Sequence, residues 1–182
     1  MKTPLITLGI PIYNAADLTL LSAFNQTYPN IEYLLIDDKG NSMDIVRRVV
    51  AEHPRNKDIH IIDQKYNQGT GAARNAIVSH ANGEYLFTMD CDDVIVPNCI
   101  EVLYKKMVEH PVDFVASSFV RRDLQGNIYP GGCQYVDTLI EGEDLAVAQY
   151  RYGKGKNIFV ATWNKLGLPF YVIIIYVVFL SI

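Results

Sequence analysis

The segment Gly83-Glu-Tyr-Leu-Phe-Thr-Met-Asp90-Cys-Asp92-Asp93 combines an apolar run with three carboxylates that follow it directly. The apolar run predicts a short buried β-strand at 85–89, with Leu86, Phe87 and Met89 in the core. In an open α/β sheet, ligands bind beyond the carboxyl ends of the strands, so these carboxylates are placed for chemistry. Asp90 and Asp92 can approach one hard cation, either Mg²⁺ or Mn²⁺. The alternative is a solvated acidic turn, because Asp is also a common turn residue.

Strands and helices alternate through the first part of the chain. Predicted strands lie at 5–10, 32–37, 59–62 and 85–89, and predicted helices lie at 17–26, around 45–50 and at 72–81. In the first helix we expect Leu18, Leu21 and Phe24 to share the buried face, with Asp17 as the N-cap. This alternation with short connections predicts an α/β fold, in which helices cover both faces of a mostly parallel sheet.

The pattern changes after Pro97. A further helix is expected with Ile100, Leu103, Met107 and Val108 on its apolar side, followed by a strand at 113–120. Gly126-Asn127 predicts a hairpin turn, and 141–150 predicts one more helix. Because no linker-like tract separates these parts, we expect one domain.

Composition excludes several classes of protein. The 182 residues are 49% hydrophobic and 20% charged, which indicates a globular protein with a core and argues against disorder. The net charge of -4 argues against a nucleic-acid partner. The three cysteines lack metal-ligand spacing and predict reduced thiols of a cytoplasmic protein. The first residues do not have the pattern of a signal peptide.

Ligand-type groups also follow two other predicted strands. The first strand ends at Pro11 and Tyr13, and the second ends at Asp37-Asp38. Tyr13 offers a ring on which a base can stack, and Asp38 can accept a hydrogen bond from a base N–H. The alternative for Tyr13 is ordinary half-buried packing. Together, three such strand ends are typical of a nucleotide site.

A polar, glycine-bearing segment precedes the third helix, and its members are Asn67, Gly69, Gly71, Arg74 and Asn75. Unpaired N–H groups at a helix N-terminus favour an anion, and Arg74 can reach a phosphate. As a dinucleotide fingerprint the segment is weak, because it lacks the third glycine and follows the third strand rather than the first. The alternative is a helix cap with an exposed arginine.

Four motifs in this order resemble the family 2 glycosyltransferases, which have the GT-A fold. The matching segments are Ile6-Thr-Leu-Gly-Ile-Pro11-Ile-Tyr13-Asn14, Asn25-Gln26-Thr27-Tyr28-Pro29 with Ile36-Asp37-Asp38, Asn67-Gln-Gly69 with Ala73-Arg74-Asn75, and Asp90-Cys-Asp92-Asp93. The resemblance covers residues 5–165 and ends with Thr162-Trp-Asn-Lys165. One departure is the second motif, where the usual Asp-Asp-Gly-Ser-x-Asp is here Asp37-Asp38-Lys39-Gly40-Asn41-Ser42-Met-Asp44, so the loop has shifted by a residue and its contacts are open.

The resemblance implies a nucleotide-sugar donor, with UDP-sugar the best candidate, and a divalent metal, Mn²⁺ or Mg²⁺, at Asp92. The implied nucleotide-sugar-binding residues are Pro11, Tyr13, Asn14, Asp38, Asn67, Gly69, Arg74, Asp90, Cys91 and Asp92. It also implies that residues 1–165 form the GT-A domain, with a nucleotide-sugar-binding half at 1–110 and a partial acceptor half at 111–165. The acceptor, a glycan, lipid or protein, is open.

The end of the chain departs from the family. Family members carry a Glu-Asp pair after the Trp-Asn-Lys segment, where a carboxylate acts as catalytic base, and this chain has none there. Glu143-Asp144 precedes that segment, and its acidic residues are expected only to stabilise a helix start. Residues 166–182 form an apolar tail, for which we expect a truncated or frame-shifted end. The alternatives are self-association or contact with the inner face of a membrane through 168–182.

The sequence therefore predicts an inverting glycosyltransferase domain that transfers a sugar from a nucleotide-sugar to an unknown hydroxyl. The alternative is a noncatalytic nucleotide-sugar-binding fragment without a base. A phosphatase of the haloacid-dehalogenase type also has an Asp-x-Asp loop, with the first Asp as nucleophile. That loop follows the first strand of its fold, whereas here it follows the fourth, so this interpretation is the weakest.

Overall fold

The computed structural model describes residues 3–15, 17–110, 112–117, 119–130 and 165–167. The expected helix at 141–150, the Glu143-Asp144 pair and the tail at 168–182 lie outside these residues, as does Trp163-Asn164. Within them, no helix has the length and apolar character needed to cross a membrane.

The described residues form a six-stranded mixed sheet, whose strands are β1 (Ile6–Ile12), β2 (Ile31–Asp37), β3 (Ile59–Asp63), β4 (Tyr85–Thr88), β5 (Phe114–Ala116) and β8 (Lys165–Gly167). Their order across the sheet is β3-β2-β1-β4-β8-β5. The first four are mutually parallel, and β8 is antiparallel to both β4 and β5. The predicted α/β fold with a mostly parallel sheet is confirmed. The hairpin predicted at Gly126-Asn127 is also confirmed, because β6 (Val120–Arg122) pairs antiparallel with β7 (Ile128–Pro130).

Helices cover both faces of the sheet. The four helices of the described residues are α1 (Asp17–Phe24), α2 (Met43–Glu52), α3 (Gly69–His80) and α4 (Cys99–Glu109). Side chains of α1, α2 and α4 share one core with Leu8, Tyr33 and Phe87 of the strands. On the opposite face, α3 packs Ile77 against β1 so closely that a Cβ at Gly9 would lie 2.2 Å from that side chain.

Two predictions about helix faces are wrong. Leu18 is 64% exposed and Leu21 is 40% exposed, whereas Leu20 and Phe24 are buried. The buried stripe of α1 thus follows the i, i+4 spacing of Leu20 and Phe24, and the two other leucines lie beside it. Helix α1 also ends at Phe24 rather than residue 26, and Asp17 is its first residue rather than its N-cap. In α4, Val108 is exposed for the same reason, since Ile100, Leu103 and Met107 form the buried stripe.

A buried carboxylate at the amino end of β2 joins distant parts of the fold. Glu32 accepts hydrogen bonds from the Thr7 hydroxyl, from the backbone and side-chain amides of Asn82, and from the Gly83 amide. Burial acts to raise the pKa of Glu32, but these hydrogen bonds outweigh it and the pKa lies below its ordinary value. The network fixes the turn between α3 and β4 to the centre of the sheet.

Candidate functional site

The order of the strands creates a crevice at their carboxyl ends. Strands β1, β2 and β3 follow one another in one direction across the sheet, whereas β4 lies on the other side of β1. Such a reversal is where open α/β sheets bind ligands. The loops after β1, β2, β3 and β4 therefore meet at one edge, and they carry most of the residues selected from the sequence, whereas Pro11 lies within β1 and Gly69 and Arg74 lie within α3.

Asp38 is held at the centre of this edge. Its backbone N–H donates to the Ile12 carbonyl at 3.0 Å, which extends the pairing of β1 and β2 past the last strand residue. Its Oδ1 accepts a hydrogen bond from the Gln68 amide at 2.8 Å, so Asp38 also joins the loop before α3. The side chain is buried but lies where the strands end.

The loops after β1 and β2 lock together through Asn14. Asn14 has a left-handed backbone, with φ of 63°, and its Oδ1 accepts the Asn41 N–H at 2.8 Å. A Cβ at Gly40 would lie 2.7 Å from the Asn14 nitrogen, so only glycine permits this approach. The Ser42 hydroxyl also accepts the Ala15 N–H at 2.9 Å. Asn14 therefore positions its neighbour Tyr13, which is 53% exposed at the mouth of the crevice, whereas Pro11 is buried in β1.

The two aspartates of the second motif have different environments. Asp37 pairs with the Lys39 ammonium at 2.9 Å, and the same ammonium lies 3.6 Å from Asp63. Burial acts to raise the pKa of Asp37, but the hydrogen bonds from Lys39 outweigh it and the pKa is lowered. Lys39 takes the left-handed conformation, with φ of 61°, and Gly40 provides the close approach. Where the family pattern has one glycine, this chain thus uses Lys39 for the left-handed conformation and Gly40 for the close approach.

The segment before α3 forms a tight helix entry. The Asn67 side chain accepts the Gly69 N–H at 3.1 Å, and Gly69 has a φ of 83° with open space around its Cα. Glycine is needed there for its backbone conformation rather than for room. Helix α3 begins at Gly69, three residues earlier than predicted, so Gly71 lies within its first turn.

Arg74 projects from the next turn of α3 and forms an ion pair with Asp90. Both side chains are largely buried, at 17% and 30% exposure. The sequence predicts that Arg74 reaches a phosphate, and in this structure its guanidinium binds the carboxylate at the end of β4. The pair connects the α3 loop to the Asp90–Asp93 loop.

The carboxylates after β4 are crowded. The Asp93 N–H donates to the Asp90 carbonyl at 3.2 Å, which closes a turn. Burial raises the pKa of Asp93 to about 6, and the negative charges of Asp92 and Asp90 add to the increase. The Cys91 thiol donates to the Tyr13 carbonyl at 3.3 Å, and burial raises its pKa. Cys91 thereby ties this loop to Tyr13.

The chemistry of this loop suits a hard divalent cation. Burial is the main cause of the raised pKa of Asp93, and the repulsion from Asp92 and Asp90 that adds to it is the kind that a bound cation relieves. Among the described residues, no three His, Cys, Asp or Glu side chains converge into a complete ligand set. Asp92, which is exposed, supplies one carboxylate, so water and substrate oxygens would have to complete the coordination.

Comparison with known proteins identifies the family. The family described as Glycosyl transferase family 2 matches this chain over residues 7–170. The chain belongs to that family. Glycosyltransferase GlyG of Streptococcus pneumoniae serotype 4 is 33% identical over 166 residues, which is 88% of this chain and 52% of that protein. The chain spans about half the length of the curated relatives it matches, at 52% of GlyG and 52% of an uncharacterized glycosyltransferase of Haemophilus influenzae.

Solved structures support the same fold. S. aureus TarS 1-349 in complex with UDP is 25% identical with a TM-score of 0.53, covering 60% of this chain and 33% of that one. Mannosyltransferase PcManGT from Pyrobaculum calidifontis, in complex with GDP-Man and Mn²⁺, is 25% identical with a TM-score of 0.56, covering 63% and 35%. The expected GT-A fold of this family 2 chain is confirmed.

The structure brings together loops that are far apart in sequence. Asp38 contacts the Gln68 amide, Cys91 contacts Tyr13, and Arg74 contacts Asp90. Three residues of this edge were given no role from the sequence: Gly40, Ser42 and Gln64. Gln64 carried a usable signal, because it follows a predicted strand end as Asp38 does.

Proposed function

We propose that residues 1–110 of this family 2 chain bind a nucleotide-sugar, with UDP-sugar the best candidate. The observation that carries the proposal is the position of Asp38 and the Asp90–Asp93 carboxylates on opposite sides of β1, at the topological switch of the sheet. A nucleoside diphosphate has its base and its phosphates at opposite ends. Asp38 is therefore suited to the base end of the nucleotide, and the Asp90–Asp93 carboxylates are suited to the phosphate end.

At the base end, the exposed ring of Tyr13 stacks on the base, and Asp38 accepts a base N–H. Asn14 and Cys91 keep Tyr13 in place through the contacts described above. At the phosphate end, Asn67 and Gly69 shape the start of α3, whose N–H groups favour an anion. Arg74 balances the charge of Asp90 and lies one helical turn from the same anion.

Asp92 is the residue that would hold Mn²⁺ or Mg²⁺. When bound, the metal supplies Lewis-acid stabilisation of the charge that grows on the diphosphate leaving group. An acceptor hydroxyl would attack the anomeric carbon from the face opposite the nucleoside diphosphate, and the bond to that leaving group would break in the same step. The hydroxyl proton would pass to a general base that is not assigned among the described residues, and inversion follows from the single displacement. Residues 111–165 contribute to the acceptor side, and the acceptor is a glycan, lipid or protein hydroxyl.

The test is a calorimetric titration of UDP in Mn²⁺ and in EDTA, beside assays of donor hydrolysis and sugar transfer. Saturable binding that needs Mn²⁺, with an inverted product, supports the full proposal. Binding without transfer supports the noncatalytic alternative, in which the chain holds donor nucleotide only. Absence of UDP binding in Mn²⁺ contradicts both.

A further inference from the structure

Gln64 lies beside Asp38 at the carboxyl edge of the sheet. Its backbone N–H donates to the Asp37 carbonyl at 3.2 Å, which continues the β2–β3 pairing one residue past the last registered pair, Asp37 and Asp63. The next pair in that register is Asp38 with Gln64. The Gln64 N–H thus extends the β2–β3 ladder, and the Asp38 N–H extends the β1–β2 ladder by donating to the Ile12 carbonyl.

The side chains of Asp38 and Gln64 lie on the same face of the sheet. Successive side chains of a strand alternate between faces. Asp37 and Asp63 occupy one face, where the Lys39 ammonium contacts both carboxylates. Asp38 and Gln64 therefore lie on the other face, the one that carries α3.

The core confirms this assignment. Ile36 and Ile62, two residues before Asp38 and Gln64 in their strands, both belong to the cluster that packs on α3. The amide of Gln64 and the carboxylate of Asp38 are thus neighbours at the end of that cluster.

The Gln64 amide is incompletely bonded. The side chain is only 9% exposed, and its Oε1 is buried without a hydrogen-bond partner among the residues that the structure describes. A buried polar atom without a partner destabilises the folded protein, so such atoms are uncommon and call for an explanation. Rotation of the amide by 180° exchanges Oε1 and Nε2, and the neighbouring Asp38 carboxylate favours the orientation that turns the Nε2 donor, rather than the oxygen, toward it and toward the open edge of the sheet.

We propose that Gln64 is a base-selecting residue that acts together with Asp38. The proposal rests on the nucleotide-sugar site proposed above. The Asp38 carboxylate accepts an N–H of the base, and the Gln64 amide donates to the carbonyl next to that N–H. Uracil presents this edge at N3–H and O4, and guanine presents it at N1–H and O6. Cytosine and adenine carry an acceptor nitrogen beside an amino group, which reverses both hydrogen bonds.

The matched variants are Gln64→Met, which keeps the length of the side chain and removes its hydrogen bonds, and Gln64→Glu, which turns the donor into an acceptor. Affinities for UDP and CDP are measured by calorimetry in Mn²⁺ on the full chain. We expect the parent to prefer UDP to CDP by about tenfold or more, since a site left with unpaired polar groups rejects the wrong ligand. The ratio falls several-fold in Gln64→Met, and it falls further in Gln64→Glu because a carboxylate at position 64 then faces the uracil carbonyl and repels it.

A purely structural role for Gln64 gives a different result. Loss of the amide would then lower the unfolding midpoint in urea and weaken UDP and CDP equally. We expect the midpoint of Gln64→Met to equal or exceed that of the parent, because the substitution removes a buried unbonded oxygen. An unchanged ratio of UDP to CDP affinity in both variants overturns the inference while leaving the proposed function intact. Failure of the parent to bind UDP overturns the proposed function itself.

Discussion

The two ends of strand β2 carry buried carboxylates in opposite conditions. At the amino end, Glu32 accepts hydrogen bonds from Thr7, Asn82 and Gly83. At the carboxyl end, Asp38 accepts one amide through Oδ1, and Gln64 beside it has a buried oxygen without a partner among the described residues. Burial alone therefore does not separate structural from functional polar groups.

The difference lies in what satisfies each group. The protein itself supplies the donors of Glu32, so that carboxylate stabilises the fold and has little capacity left for a ligand. Across the sheet, the Asp90–Asp93 loop crowds like charges until the pKa of Asp93 rises to about 6 through burial and through its acidic neighbours. Groups that the fold leaves unbalanced are the ones suited to bind something else.

The largest expected effect is on stability at the amino end. Glu32→Ala should lower the free energy of unfolding by about 3 kcal/mol, because the Thr7 hydroxyl and the amides of Asn82 lose their acceptor. Urea unfolding measures this. Glu32→Gln is the control, since it keeps an oxygen at the Oε1 position, and it should cost about 1 kcal/mol. A loss below about 1 kcal/mol in the alanine variant would show that the network does not stabilise the fold.

The same carboxylate should make stability depend on pH. The pKa of Glu32 in the folded protein lies below its ordinary value of 4.5. Its contribution is therefore complete above pH 4.5 and is lost as the pH falls toward the lowered pKa. We expect the difference in unfolding free energy between the parent and Glu32→Gln to shrink over that acid range. A constant difference from neutral pH down to pH of about 3 would contradict the assignment.

At the carboxyl end, Asp92→Asn should act on binding rather than folding. We expect UDP affinity in Mn²⁺ to fall about tenfold or more, equal to about 1.4 kcal/mol, while affinity in EDTA stays the same. Unfolding free energy should change by less than about 0.5 kcal/mol, because Asp92 is exposed. Glu84→Gln, which removes an exposed carboxylate at the amino end of β4, is the matched control and should leave affinity unchanged. Equal affinity of Asp92→Asn and parent in Mn²⁺ would refute the metal assignment.

The smallest effect is expected at a third kind of carboxylate, one on the surface. Asp63 lies 3.0 Å from Arg47 and 3.6 Å from Lys39, and it is about half exposed. Asp63→Asn should cost less than about 1 kcal/mol of unfolding free energy, and added salt should remove most of that. A larger loss that persists in high salt would mean that the ion pairs at this end behave like the Glu32 network.

The sequence predicted what is local in the chain. Apolar runs gave the four parallel strands, and Asp38, Asp90 and Asp92 were recognised because a carboxylate directly after a buried strand must emerge at the edge of a sheet. The hairpin at Gly126-Asn127 followed from turn chemistry in the same way.

The failures concern contacts between distant residues. The role of Glu32 depends on Asn82, 50 positions away, and nothing in the run around Glu32 marks it. Leu18 and Leu21 were assigned to the core because they are apolar, but the packing of α1 selected Leu20 and Phe24. Gln64 was missed because its position beside Asp38 becomes evident only once the register of β2 and β3 is known.

The most direct test of the contrast between the two ends is backbone amide NMR during a titration with UDP and Mg²⁺. The account predicts that amide signals of residues 12–14, 38–42, 67–70 and 90–93 shift together and saturate at one affinity, while those of Asn82 and Gly83 stay in place. Shifts centred on Asn82 and Gly83, or no saturable shift at the carboxyl edge, would contradict the claim that the polar groups left unbalanced by the fold form the nucleotide site.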